Sequence, residues 1–214
     1  GKVMGLAPYG EYDAEIDEAL RSAVTAGVNY DVTEITATAA NDLDDGVQKL
    51  ESLFDRPRKP EPSAFSDWEK NLAYVLQMFV EETVTDIVGT HTHALSTGEV
   101  GLAGGVALNC KLNKAVMDLP AVEDVFIQPV AHDSGSALGA AALGYEADAV
   151  TPLDTLYWGD QFSTDTITAQ LDEFGIDYRR PNDLLEYVAD RLADGDVVGW
   201  FQGRQEHGPR ALCN

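Results

Sequence analysis

Four short segments of this 214-residue chain carry residue types that can do chemistry at the spacing found. In Leu102-Ala103-Gly104-Gly105-Val106-Ala107-Leu108-Asn109, a glycine pair separates an apolar run from a helical pattern. Glycines there let a backbone approach a ligand with no Cβ in the way. The helix amides behind them can receive a phosphate or a ribose, and Asn109 can donate or accept toward the same ligand. A plain strand–helix turn with glycine for packing accounts for the spacing equally well. In Ala131-His132-Asp133-Ser134-Gly135, the Asp133 carboxylate beside Ser134 and Gly135 suits a metal ion or a nucleotide-bound cation. Read alone, Asp133 is more simply the N-cap of the Ala-rich stretch behind it, and His132 a bystander. In Gly203-Arg204-Gln205-Glu206-His207-Gly208-Pro209-Arg210, two arginines share a Gly/Pro-shaped turn. Their planar forks match phosphate or carboxylate. An ion-pair cluster with Glu206 is the alternative, and the anion site is favoured. Lys2, in the glycine-rich Gly1 to Gly10 segment, is a fourth residue able to reach a phosphate.

Other candidates carry less. His91 and His93 stand two apart, whereas two ligands on one helical face need a spacing of four; they read as surface residues. Cys110 reads as a small core residue.

The elements that must position these groups follow from periodicity. Gly1 to Gly10 reads as a loop. Val28, Tyr30 and Val32 alternate with polar neighbours and predict a short strand. Asp45 to Phe54 predicts a helix with Val47, Leu50 and Phe54 on one face, and Arg56 to Pro62 an extended linker. Ser66-Asp67-Trp68-Glu69 opens a long helix whose stripe runs Phe65, Trp68, Leu72, Val75, Leu76, Phe79, Val80, Val84, Ile87. That stripe is a core-facing surface with no chemical role. Next come a buried strand from Val100 to Ala103, a Gly104-Gly105 turn, a helix from Val106 to Met117 and a strand from Val122 to Ile127. A turn at His132 to Gly135 and an Ala-rich helix from Ser136 to Glu146 complete an α/β pattern. It predicts both turns at the carboxyl ends of adjacent parallel strands, where open α/β sheets bind ligands. Beyond a break at Thr151 to Asp160, helices are expected around Asp165–Phe174 and Asn182–Leu192. A strand from Asp196 to Phe201 should then feed the arginine turn.

Composition limits the partners. With 37 Asp plus Glu against 14 Lys plus Arg, the net charge is −23. That excludes general binding to nucleic acid, whose phosphates need cations, or to an anionic membrane face. No run of about 18 apolar residues is present to span a bilayer, and the first residues do not form a signal peptide. Two cysteines make neither a disulfide framework nor a zinc site, so a cytoplasmic location is expected. The acidic residues are spread along the whole chain. A dispersed negative surface repels itself at low salt, and molar salt screens that repulsion. A halophilic source is therefore expected in preference to an ordinary acidic cytosolic protein.

The ordered set Lys2 to Gly10, Ala103 to Cys110, His132 to Ala141, and Gly199-Trp200-Phe201-Gln202-Gly203-Arg204 through Gly208-Pro209-Arg210-Ala211-Leu212 resembles the NodU/NolO-type O-carbamoyltransferases. The resemblance is weakest between Glu11 and Pro62. It implies a Kae1-like half of the actin/Hsp70/sugar-kinase superfamily followed by a YrdC-like α/β half. Residues 1–150 would be the C-terminal part of the first, and 151–214 a connecting segment and the beginning of the second. It further implies that the YrdC-like half makes carbamoyl-adenylate from carbamoyl phosphate and ATP. The Kae1-like half would then transfer the carbamoyl group to a hydroxyl of a sugar-like or natural-product acceptor. By the same resemblance Gly104, Gly105 and Asn109 contact the nucleotide, with Ser134, Gly135 and Lys2 also cofactor-binding. Asp133 is a ligand of a divalent ion (iron, magnesium or manganese), and Arg204 and Arg210 face carbamoyl phosphate. The remaining metal ligands would be histidines of an N-terminal motif that precedes this chain, so the isolated piece is expected not to turn over. Two positions depart from the family pattern: Cys213 replaces a glycine, and His207 stands where an aromatic is common. Two alternatives stay open: another ATP-using member of the superfamily such as a sugar kinase, and a non-catalytic nucleotide-binding module.

Overall fold

The computed structural model describes residues 2–39, 43–59, 64–145 and 155–208. The chain divides into two compact units, residues 1–139 and 140–214.

The first unit is organised around one helix. Its elements in order are α1 (Lys2–Leu6), a 3-10 turn (Ala7–Tyr9), α2 (Ala14–Ala23), α3 (Thr33–Ala39), α4 (Leu43–Leu53) and α5 (Asp67–Leu95). After them come β1 (Glu99–Leu102), a second 3-10 turn (Gly105–Leu108), α6 (Cys110–Met117), β2 (Asp124–Ile127) and α7 (Gly135–Leu143). At about 1.5 Å per residue, α5 is roughly 43 Å long. Ala73, Val75, Gln77 and Phe79 of α5 are all buried. Burial at alternate positions cannot come from one helical face, so α5 is covered on several sides. Its neighbours are α1 with the first 3-10 turn, α2, α6 and β1. On one side Val75 and Phe79 form a core with Ile16, Leu20 and Val24, with Trp68, Leu72 and Leu76 packed against it. Of the stripe read from the sequence, Trp68 to Phe79 face this core, Val80, Val84 and Ile87 are half-buried outside it, and Phe65 is exposed.

The start of α5 is fixed electrostatically. The Glu69 carboxylate accepts the Ser66 backbone N–H at 2.6 Å and also the Ser66 hydroxyl, the returning half of a capping box. Lys59 adds an ion pair at 2.9 Å. Burial alone would raise the Glu69 pKa, but the bonds from Ser66 and Lys59 outweigh it and hold the carboxyl at about 2 against an ordinary 4.5. A depressed carboxyl stabilises the fold above its unfolded pKa and loses that contribution as pH falls through its folded one. Glu69→Gln is therefore expected to flatten the acid limb of a thermal-stability profile between pH 4.5 and about 2, at a cost near neutrality of about 1 kcal/mol.

Strands β1 and β2 form a two-stranded parallel sheet with Val100 opposite Val125 and Leu102 opposite Ile127. Gln128 N–H continues the ladder to Leu102 O at 3.1 Å. The parallel pairing expected of an α/β chain is present, although both strands alternate exposed and half-buried residues rather than being fully buried.

In the second unit, α8 (Thr164–Glu173) and α9 (Leu184–Ala193) form as expected. The Leu156–Asp160 segment runs beside Gln205–His207 through three backbone bonds. His207 N–H reaches Leu156 O at 2.7 Å, Gly159 N–H reaches Gln205 O at 2.9 Å, and Gln205 N–H reaches Asp160 O at 3.2 Å.

Several expected elements are corrected. Lys2–Leu6 is helical rather than loop, because the segment packs along α5, and a proline is tolerated in the first turn of the 3-10 helix that follows. The strand expected at Val28–Val32 is a turn closed by a single antiparallel bridge, Thr25 to Asp31. The helix expected from Val106 to Met117 is interrupted at Asn109, which ends the 3-10 turn and caps α6. Cys110 is exposed rather than in the core, with its Sγ 3.7 Å from Met4 Sδ. The Ala-rich α7 has no buried residue. Asp196 to Phe201 is not a strand: it has no pairing partner among the described residues, and Val197 is fully exposed. The expected features at 60–62, 146, 151–154, Arg210 and Cys213 lie outside the described residues.

Candidate ligand site at two strand ends

The residues leaving β1 and β2 turn at the same end of the sheet, and one hydrogen bond joins them: Gly104 N–H donates to Ala131 O at 2.7 Å. Gly104 has φ 96° and ψ 166°, a conformation essentially confined to glycine. That bend lifts the chain into the 3-10 turn, where Ala107 N–H returns to Gly104 O at 3.0 Å. Asn113 supports the turn from beneath by donating to Ala107 O at 2.8 Å. Beyond the adjoining residues, no atom of the described residues lies within 4 Å of where a Cβ on Gly104 or Gly105 would sit, so these two glycines leave room for a close approach.

The second bend hangs from Val130 and Ala131, both buried. Gly135 is required by proximity: a Cβ there would lie 2.2 Å from Val130 O. Gly135 N–H bonds His132 O at 2.8 Å, and Ser134 N–H donates to His132 Nδ1 at 3.0 Å. That contact leaves the ring proton of neutral His132 on Nε2, 3.4 Å from Ser134 Oγ. His132 is thus an internal brace of the turn. Asp133 is exposed, and its carboxylate has no hydrogen-bond partner among the described residues. It does not act as the N-cap of α7, which removes the simpler sequence reading of this residue.

Asn109 is held differently. Its Oδ1 accepts the Leu112 N–H at 3.2 Å, capping α6. Its amide also exchanges hydrogen bonds with Gln77 of α5, giving at 2.9 Å and receiving at 3.2 Å. Gln77 is buried and donates to Glu81 as well. The sequence does not single out Gln77, because one amide inside an apolar helical stripe carries no spacing signal. Asn109→Ala is expected to cost about 1–3 kcal/mol in urea unfolding, combining a lost cap with a stranded buried carbonyl on Gln77. Asn109→Ser, which keeps a cap, should fall between the two.

The remaining candidates are placed as follows. Lys2 is exposed on α1. Arg204 is exposed, donates from Nε to Gly159 O at 2.9 Å, and follows Gly203 at φ 71°. His207 stacks on Trp158 with ring centroids 5.5 Å apart. His91 and His93 lie exposed near the end of α5, as expected. Among the described residues no three His, Cys, Asp or Glu side chains gather as a metal cluster, and no described helix is long and apolar enough to cross a membrane.

Helices around two parallel strands define a mixed α/β protein. Residues 1–142 match the family described as carbamoyltransferase N-terminus, and residues 189–214 match carbamoyltransferase C-terminus. The chain belongs to the carbamoyltransferase family. It is 35% identical over its whole length to nodulation protein NolNO of Sinorhizobium fredii, covering 31% of that protein. It is also 35% identical over its whole length to nodulation protein NolO of Bradyrhizobium diazoefficiens, covering 38%. Over 122 residues, 53% of this chain and 21% of the relative, it is 40% identical to the 3'-hydroxymethylcephem-O-carbamoyltransferase of Amycolatopsis lactamdurans. The chain thus spans about a third of the length of the nodulation proteins it matches.

Proposed function

We propose that the protein carrying this chain is an O-carbamoyltransferase that moves a carbamoyl group from carbamoyl phosphate, through an ATP-derived carbamoyl-adenylate, to the hydroxyl of a sugar-like or natural-product acceptor. The observation that carries this reading is the Gly104–Ala131 bond, which brings the two bends together at one sheet edge. Residues 1–150 are read as the C-terminal part of a Kae1-like half, and residues 151–214, with the arginine turn, as a connecting segment and the opening of a YrdC-like half. The acidity is read as an adaptation to salt in a cytoplasmic enzyme.

In this reading the open backbone at Gly104 and Gly105 receives the nucleotide, with Ser134 and Gly135 across from it. Transfer forms the bond from the acceptor oxygen to the carbamoyl carbon and breaks the bond from that carbon to the adenylate oxygen. AMP leaves, and the acceptor gives up its hydroxyl proton. A divalent ion, when bound, supplies Lewis-acid polarisation. Asp133 fits as one of its ligands, because its carboxylate is exposed and uncommitted among the described residues. Gln77 holds Asn109, and so the start of α6, in register with the first bend. Arg204, with Nε committed to Gly159 O, keeps its two terminal nitrogens to face a phosphate.

The test needs no acceptor. Water releases carbamate and inorganic phosphate from carbamoyl phosphate, and the carbamate oxygen displaces pyrophosphate from the α-phosphate of ATP, so the full-length protein is expected to exchange pyrophosphate into ATP only when carbamoyl phosphate is present. Arg204→Ala should abolish that exchange, and Asp133→Ala should strip bound metal in elemental analysis. ATP-dependent phosphorylation of a sugar without carbamoyl phosphate would favour the kinase reading. Nucleotide binding with no turnover would favour a non-catalytic module.

A further inference from the structure

Between α2, α3, α4 and α5 lies a cavity of about 1210 Å³. Protein interiors hold few voids larger than a water molecule, and ligand pockets run from about 300 to 1,000 Å³. Its walls are aliphatic and aromatic: Leu20 from α2 and Val24 that ends it, Val47 and Leu50 from α4, Leu72 and Leu76 from α5. Phe54 and Trp68, edge to face at 5.6 Å, stand where α4 meets α5.

The rim has the opposite character. Arg56, Arg58 and Lys59 all line it, three of the chain's 14 Lys plus Arg inside four positions. Their commitments differ. Lys59 pairs with Glu69 at 2.9 Å, and Arg58 stands 3.9 Å from Asp44. Arg56 has no carboxylate at ion-pair distance among the described residues; its guanidinium lies 4.7 Å above the Trp68 ring. The stack is held by the end of α4. Asp55 is left-handed at φ 46°, and Arg56 N–H closes on Glu51 O at 2.9 Å, the bond that ends a helix in a Schellman turn. A guanidinium stacked by its face keeps its in-plane N–H donors for a planar anion. Glu51 and Glu69 line the same cavity, but Glu69 is taken by Lys59 and Glu51 accepts the Arg58 backbone N–H at 2.7 Å, which leaves Arg56 as the lining cation placed to meet an anionic head.

We infer that this cavity binds a small amphiphile, an alkyl or acyl chain ending in a carboxylate, with the chain among α2, α4 and α5 and the carboxylate on Arg56. The cavity would take such a ligand whatever group the glycine bends hold.

Decanoate and decanol, titrated by calorimetry into the full-length protein at one ionic strength, separate the contributions of head and chain. Decanoate is expected to bind at least about tenfold more tightly than decanol. Arg56→Gln should erase that preference while leaving decanol affinity unchanged. Leu72→Trp, which fills the cavity, should weaken both ligands; Val47→Trp does the same from the opposite wall if the first variant does not fold. Equal affinity for the two probes in the unmodified protein, binding of neither, or decanoate binding that survives both substitutions would overturn the assignment.

Discussion

Gly135→Ala is expected to lower the stability of the protein by about 3 kcal/mol or more, at the upper end of what overpacking costs. The added methyl would stand 2.2 Å from Val130 O and 3.4 Å from the Val130 carbonyl carbon. Neither neighbour is a flexible side-chain tip that can swing aside, and Val130 is buried. Relief requires α7 to draw back from the end of β2, which drags the His132–Ser134 turn with it. The variant is therefore expected to lose urea resistance and the geometry of the second bend together. Gly139→Ala supplies the control. It lies in the same helix, and its Cβ would meet nothing within 4 Å among the described residues. There alanine should be neutral, or stabilising by up to about 1 kcal/mol through helix propensity. Similar losses in both variants would contradict the packing described.

Gly104→Val acts through the backbone instead. Among the described residues nothing within 4 Å obstructs a Cβ here, so the loss is assigned to φ 96° and ψ 166°, which cost a residue bearing a Cβ about 1–3 kcal/mol. A valine would rotate toward negative φ and turn its N–H away from Ala131 O, parting the two bends. Pyrophosphate exchange should fall by at least about tenfold, since a misplacement of about 1 Å can cost about a hundredfold. The comparison is Gly105→Ala, one position on. Gly105 has no positive φ and equal room, so it should keep its stability, with any loss of exchange then reporting contact with the nucleotide itself. Gly135 and Gly104 thus look alike in the sequence yet fail for different physical reasons.

Much of the first unit was legible because local chemistry and global packing agree there. Ser66 and Glu69 at capping-box spacing announce α5, and Val100 and Val125 end up opposite one another as an α/β alternation predicts. The first is written in residues three apart, and the second in a strand–helix–strand alternation of hydrophobic period that a single sequence displays. What the sequence hid depends on contacts it does not encode locally. Asn109 reads as a ligand-facing residue, yet Gln77, from a helix far earlier in the chain, engages its amide. The apolar run at Val197–Phe201 has the composition of a strand, but a strand needs a partner, and among the described residues it has none. Cys110 has a core residue's chemistry but takes the first position of α6, outside the packed face. The cavity behind Arg56 is invisible in one dimension because its walls come from separate helices.

The bond from Gly104 to Ala131 also bears on dynamics. It links two turns beyond the paired strands, at an end of the sheet, where local opening needs no unfolding of the core. The deuterium uptake of that single amide therefore clocks how often the two corners separate, independently of whether the rest of the molecule unfolds. A ligand spanning both corners would slow the clock without touching the amides buried in α5.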